Sequence, residues 1–355
     1  MVMEIEEICD LYNTCKRISV THYVKSILYT PEGKGIKVAE TPLSNKKISL
    51  PPKTFKHCHP NNQEELSVKD ENVYASLIGT CVDYMSRLIF LKDKNAFFIS
   101  KKGAEILGDV SGFNQRSKAM KNSLRMAGKV TDKAIINAVQ MCGYDVAYRS
   151  NPAGYKSVGT IVPDQATIKR IRVMLDRVKN LFDKISTPTQ AGFEVSSEHL
   201  SIYGDGDFIS DNYLLDFKTV VGSVSSDMVF QVLVYYILGK LEGKYSEFEK
   251  IRWLMIYNPR KDLLYYCDVT EISDVIKLLS ERIEYDDRSY YSDNNVRRYN
   301  QYDGMYQKAL QFVYPTSSRF RPNINKDFLP SFSYYKRNLL TLKKKIEKRI
   351  DELEK

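Results

Sequence analysis

Between residues 204 and 219 the chain reads as two short strands joined by a tight polar turn, and this stretch limits the fold more than any other. Residues i and i+2 of a strand share a face. Asp216 and Lys218 therefore point one way, and Leu215 and Phe217 point the other way, into a core. With the turn over residues 210–213, Asp207 on the first strand falls directly opposite Asp216. Opposed carboxylates, with Cβ atoms roughly 5 Å apart, repel each other. A divalent cation between them converts that cost into binding. Mg²⁺ is usually held by one or two carboxylates, water and substrate phosphate, at about 2.1 Å. A lysine beside such an ion can orient an attacking water or help to deprotonate it. Two carboxylates, a metal and a lysine suit phosphodiester hydrolysis. The plain alternative is a solvent-facing hairpin, because Asp-Gly is a turn signal by itself and surface strands often carry Asp and Lys.

A Gly/Ser-rich connection follows, and then residues 226–239 read as a helix that is apolar almost all round and hence buried. Ser226 is the expected N-cap and Gly239 the expected stop. Gln231 is the polar exception, and Tyr235 lies one turn further on the same face. A glutamine inside a buried helix needs hydrogen-bond partners. It finds them either by lining a groove beside the carboxylates together with Tyr235, or in nearby backbone.

Gly204-x-x-Asp207, then Asp216-Phe217-Lys218-Thr219, then Gln231-x-x-x-Tyr235 resembles the RecB-like branch of the PD-(D/E)XK nucleases in both order and spacing. The resemblance implies an α/β, restriction-endonuclease-like fold, a central mixed β-sheet flanked by helices, with helical additions. It implies that Asp207 and Asp216 bind Mg²⁺ or Mn²⁺, with the Phe217 carbonyl as a further ligand. Lys218 matches the catalytic lysine, and Gln231 and Tyr235 match the motif that positions the strand. The family also has an upstream helix with a Gly-Thr-x-x-His-like motif. Here Gly79-Thr80 is followed by Asp83 where the histidine would stand. Asp83 is thus either a third metal carboxylate, which suits a hard cation, or the partner of Arg87 in an i,i+4 ion pair. The resemblance spans residues 74–270, with a long unmatched stretch between the helix motif and the hairpin. The implied activity is metal-dependent hydrolysis of nucleic acid, DNA in the first place, in phage defence, repair or recombination. The competing expectation is a non-catalytic or partner-activated nucleic-acid-binding protein on the same fold.

The 355 residues carry a formal net charge of +9, which favours a polyanionic partner. No apolar run reaches the 18 residues of a membrane span. The acidic N-terminus does not resemble a signal peptide, so the expected location is cytoplasmic. Some RecB-like relatives hold an iron–sulfur cluster on four closely spaced cysteines. The cysteines here, at 9, 15, 58, 81, 142 and 267, include no CxxC, and no cluster is expected. His57-Cys58-His59 could contribute to a zinc site, but no second ligand pair is evident.

The expected organisation has three parts. Residues 1–70 form a region of helix and loops, clearest as helix at 22–28. Residues 71–290 form the nuclease core, with a helical insertion around 100–187. Residues 291–355 form an extension ending in a basic amphipathic helix at 334–355, suited to packing or self-association. Arg116, Lys118, Lys121, Arg125, Lys129 and Lys133 form either a DNA-facing arm or a solvated helix face. Residues 192–203 read as one strand leading into the hairpin, with Glu194 and His199 as further titratable candidates near the site. Residues 251–257 and 263–269 read as strands around a polar turn, and residues 271–284 as a helix.

Overall fold

The structure, a computed structural model, describes residues 18–30, 33–34, 36–37, 47–48, 50, 54–69, 71–149, 155–197 and 202–290. The strands are β1 (Ile18–Ser19), β2 (Tyr29–Thr30), β3 (Gly33–Lys34), β4 (Ile36–Lys37), β5 (Lys47–Ile48), β6 (Lys56–Cys58), β7 (Gln190–Ser196), β8 (Ile202–Ile209), β9 (Tyr213–Phe217), β10 (Trp253–Asn258) and β11 (Leu263–Asp268). The helices are α1 (Val20–Leu28), α2 (Ala75–Phe90), α3 (Phe98–Leu107), α4 (Val110–Ala127), α5 (Asp132–Cys142), α6 (Asp145–Arg149), α7 (Gln165–Ile185), α8 (Ser226–Glu242) and α9 (Ser273–Tyr290). The fold is mixed α/β. Its seven-stranded mixed sheet has the path β1-β8-β9-β10-β11-β6, with β7 on the other side of β8, and helices flank it. The expected sheet between helices is therefore present. Strands β2 to β5 form two small ladders apart from it. Among the described residues no helix is long and apolar enough to cross a membrane.

Each face of the sheet has its own core. One core holds α1, α8 and α9 residues such as Tyr23, Val24, Leu233, Ile237 and Ile283, over Phe193, Ile209 and Leu214. The other holds residues of α2 to α7 such as Val82, Met85, Ile135, Ile171 and Val178, over Phe208, Leu215 and Phe217. The N-terminal part joins this body directly: β1 runs parallel to β8 and β6 pairs with β11.

The hairpin forms in the expected register. Phe208 faces Leu215 and Ile209 faces Leu214, an offset that sets Asp207 against Asp216. Ser210 N–H donates to the Tyr213 carbonyl across the turn. From β9 the chain crosses over through α8 to the parallel strand β10, as parallel pairs require.

Two expectations are corrected. The single strand over 192–203 is a pair: β7 ends at Ser196 and β8 begins at Ile202, antiparallel to it. The polar run that begins at Ser196-Ser197 interrupts the apolar pattern and is itself a turn signal. Helix α8 does not stop at Gly239 but runs to Glu242, where Gly243 takes the left-handed C-cap at φ 63°. Gly239 is there for packing, since a Cβ would sit 2.2 Å from Phe248 Cε1. The C-terminal helix expected at 334–355 and the candidate His199 lie outside the described residues.

Candidate active site

The sheet parts at one level, and the candidate residues meet there. The β7–β8 ladder keeps one offset on both sides of Gly192 and Asp207 but omits that pair. Gly192 has φ 66°. Alternation slips at this point: Ala191 and Phe208 pack in the second core, whereas Phe193 and Ile202 pack in the first. Irregular pairing of this kind re-aims a side chain, and the one re-aimed here is Asp207. The β8–β9 ladder also ends one pair short of it. The Asp207 carboxylate then replaces the missing strand partner, accepting the Phe217 N–H at 2.7 Å. Lys218 N–H donates to Tyr257 of β10 at 3.0 Å, so alternate residues of β9 turn toward β10. The parity of the ladder accordingly turns the Phe217 carbonyl toward the opening beside Asp207.

Asp216 is almost fully buried, with 4% of its side chain exposed. Lys218 Nζ lies 2.5 Å from its Oδ2 and forms an ion pair with it. Burial raises the Asp216 carboxyl to about 6, with Lys218 pulling it down and Asp207 pushing it up. For Lys218, burial favours the neutral amine, but Asp216 and Asp207 outweigh it and raise its pKa. The lysine is therefore held as an ammonium, a donor of charge and hydrogen bonds rather than a base.

Helix α2 approaches from the second core. Gly79 allows the approach, because a Cβ there would lie 2.2 Å from Thr219 Oγ1, just past Lys218. Asp83 follows one turn later on the same face and is bidentate to Arg87, at 2.7 Å to Nε and 2.7 Å to Nη2. Arg87 Nη2 also reaches Asp207 Oδ1 at 3.0 Å. Both readings of Asp83 thus meet in one arrangement: it is an i,i+4 ion-pair partner, and through Arg87 it is linked to Asp207. Burial, offset in part by Arg87, raises the Asp83 carboxyl to about 7.

Helix α8 approaches from the first core. Tyr235 lies against Gly204, where a Cβ would come within 2.7 Å of its Cε1. The glycine and the tyrosine are thus one packing unit. Gln231 Nε2 donates to Tyr235 Oη at 2.9 Å and to Thr21 Oγ1 of α1 at 3.1 Å. Its partners are side chains rather than backbone, and they tie α8 to α1. Burial first, then Asp205, Asp216 and Asp207, raises the Tyr235 pKa well above the ordinary value. Glu194 stands across from Asp205 on β7, 4.0 Å from Lys244.

Sequence reasoning gave Arg87 a role only as a partner of Asp83, and it missed Arg149, Lys244 and Tyr245, which line a cleft that Arg87 shares. The i,i+4 spacing signals Arg87, but the other three leave no local signal.

A divalent cation fits one part of this arrangement. The Asp216 carboxylate, the opposed Asp207 and the Phe217 carbonyl form a set of hard oxygen donors, with the Lys218 ammonium 2.5 Å from Asp216 Oδ2 and Arg87 3.0 Å from Asp207 Oδ1. Asp83 does not extend that set as it stands, because both its oxygens are on Arg87. Among the described residues no three His, Cys, Asp or Glu side chains form a ready-made metal cluster. Compared with family models, curated proteins and solved structures, the chain matches none.

Proposed function

We propose that the protein is a metal-dependent nuclease on a restriction-endonuclease-like fold, hydrolysing phosphodiester bonds of nucleic acid, DNA in the first place. The observation that carries this reading is the buried Asp216 carboxylate, set opposite Asp207 by the strand register and beside the Lys218 ammonium. Bringing two carboxylates together in a buried site is costly, and a scaffold has no physical use for it. Asp207, Asp216 and the Phe217 carbonyl would hold Mg²⁺ or Mn²⁺, which when bound supplies Lewis-acid charge to a phosphate and a more acidic water. Lys218 orients that water and stabilises charge developing on the phosphate. Asp83 fixes Arg87, which carries a second positive charge to the same opening. Tyr235, braced by Gln231, forms the floor under Gly204. The function belongs to defence against foreign nucleic acid, repair or recombination in a cytoplasmic setting.

Arg87 also favours a second reading, a non-catalytic or partner-activated nucleic-acid-binding protein, because it already places a cation between Asp83 and Asp207. Cleavage of labelled DNA and RNA with Mg²⁺, Mn²⁺ or EDTA separates the two. The nuclease reading expects metal-dependent cleavage that Asp216→Asn abolishes. It expects Lys218→Ala to slow turnover about 10²–10³-fold, the usual cost of losing a preorganised electrostatic contact. Binding without cleavage across metals and substrates selects the second reading.

A further inference from the structure

The cleft beside Arg87 takes no part in the hydrolysis described above. It opens among the C-terminal end of α2, the start of α3, α6, β7 and the turn after α8, and encloses about 340 Å³. Arg87, Arg149 and Lys244 bring three cations to it from three separate elements. Arg87 is held rigidly, its Nε and Nη2 engaged by Asp83 and Asp207. Its Nη1 faces Gly192, where a Cβ would lie 2.8 Å away. The glycine keeps one edge of the guanidinium open to the cleft. Arg149 and Lys244 are held more loosely. Arg149 lies 3.6 Å from both Asp145 and Asp205 and donates to the Tyr84 hydroxyl at 3.4 Å, and Lys244 lies 4.0 Å from Glu194. All three carboxylate separations exceed hydrogen-bond length, so an incoming phosphate can compete with these carboxylates for the two cations. Tyr245 lines the same cleft, with the Lys244 ammonium 5.2 Å from its ring centre.

The geometry points to a site for one unstacked nucleotide of a single-stranded nucleic acid, its phosphates on Arg149, Lys244 and the open edge of Arg87, its base against Tyr245. Ligand pockets begin at roughly 300 Å³, so this space admits a nucleotide-sized group and no duplex, whose major groove alone is about 12 Å wide. Cations along a groove with an aromatic platform are the usual means of holding single strands, since every base offers a π-face. Arg87 touches both this cleft and Asp207, which sets the held nucleotide next to the phosphate at the carboxylates. The inference deepens the proposed function and rests on it for the class of ligand.

The test is binding rather than cleavage. Fluorescence anisotropy of the full chain in EDTA, at low salt, would use short single-stranded DNA, single-stranded RNA and a blunt duplex. Tyr245→Ala should weaken binding of the preferred single strand about tenfold, while Tyr245→Phe, which keeps the ring, stays near wild type. Arg149→Gln and Lys244→Gln, both at partly exposed side chains, should each weaken it severalfold and lower its salt dependence. Duplex affinity should move less than about twofold, because the cleft excludes it. Equal single-strand affinity for wild type and all variants overturns the inference, as does a wild type that binds neither single strand. If the variants behave as expected but no metal supports cleavage, the nuclease reading fails and the cleft stands. If cleavage is present and the cleft variants bind normally, the reverse holds.

Discussion

At the scale of single residues, the chemistry rests on one carboxyl whose burial has a definite sign. Asp216 is raised to about 6 by burial, with Lys218 opposing and Asp207 adding, whereas an unfolded aspartate titrates near 3.9. Between those values the folded protein holds a proton that the unfolded chain has released. The Asp216 contribution to stability therefore falls as pH rises through roughly 4 to 6 and stays lower above that window, and Asp83, raised to about 7, adds a fall of the same sign. The Asp216 displacement is on the order of 3 kcal/mol. Thermal melts in EDTA should accordingly show a higher midpoint at pH 5 than at pH 8, and Asp216→Asn should narrow that gap. A wild-type midpoint that is flat from pH 5 to 8 contradicts the assignment. The same argument fixes the effect of an ion. At pH 8, Mg²⁺ or Mn²⁺ at about 100 times its dissociation constant should stabilise the wild type by about 2.7 kcal/mol and leave Asp216→Asn nearly unmoved. The alternation of Leu215, Asp216, Phe217 and Lys218 was legible in the sequence, because strand period is local and the turn length fixes register. Arg87's bond to Asp207 was not, since the two residues stand 120 positions apart.

At the scale of elements, the sequence located most helices and strands but misjudged what their punctuation was for. Gly239 looked like a helix stop and is an approach point for Phe248. Local propensity alone would favour alanine there by about 1 kcal/mol. Packing opposes it, because the Phe248 ring atoms would lie 2.2 to 2.4 Å from the new Cβ and Phe248 is itself buried. Overpacking costs about 1–3 kcal/mol, so Gly239→Ala should lower stability in chemical denaturation. Adding Phe248→Leu should recover part of that loss, and simple additivity in the double-mutant cycle would remove the explanation. The polar turn expected between the strands over 251–257 and 263–269 is present. Its Asn258, Arg260 and Asp262 are nevertheless buried. Arg177 donates to the Pro259 and Arg260 carbonyls at 2.9 and 2.8 Å, and Asp262 accepts the Asn61 N–H at 2.8 Å. Arg260 in turn donates to the Thr219 carbonyl at 3.3 Å. This buried turn thereby secures the chain just past Lys218. Local bonds shape the turn, since Asn258 Oδ1 accepts the Arg260 N–H at 3.0 Å, but its anchors at Asn61, Arg177 and Thr219 come from distant segments and leave no local signal.

At the scale of the whole molecule, the excess of positive charge acquires a location. Helix α4 contains no acidic residue, and Lys118, Lys121 and Arg125 are exposed on it at spacings of three and four, with Lys129 exposed just beyond. Arg116 is instead turned inward, bonded to Gln140 and to the Gly112 carbonyl. Composition alone stated the sum of charges, and helical periodicity shows that part of it lies along one face. The sequence left both a DNA-facing arm and a solvated face open, and the two differ in one measurable quantity. Each backbone phosphate contact to a single strand contributes about 0.7 to the slope of log K against log salt, through release of condensed counterions. A face that touches the strand contributes to that slope, whereas a merely solvated face does not. On the proposed function, Lys118→Gln, Lys121→Gln and Arg125→Gln combined should make the slope shallower by about 2. The circular-dichroism spectrum should be unchanged, because these side chains are exposed and make no core contacts. The measurement is a series of anisotropy titrations of single-stranded DNA from about 50 to 200 mM salt, in EDTA so that no cleavage intervenes. An unchanged slope with weaker binding throughout would mean that the triple variant perturbs the fold. An unchanged slope with unchanged affinity would remove α4 from the nucleic-acid path and leave affinity to the cations of the cleft.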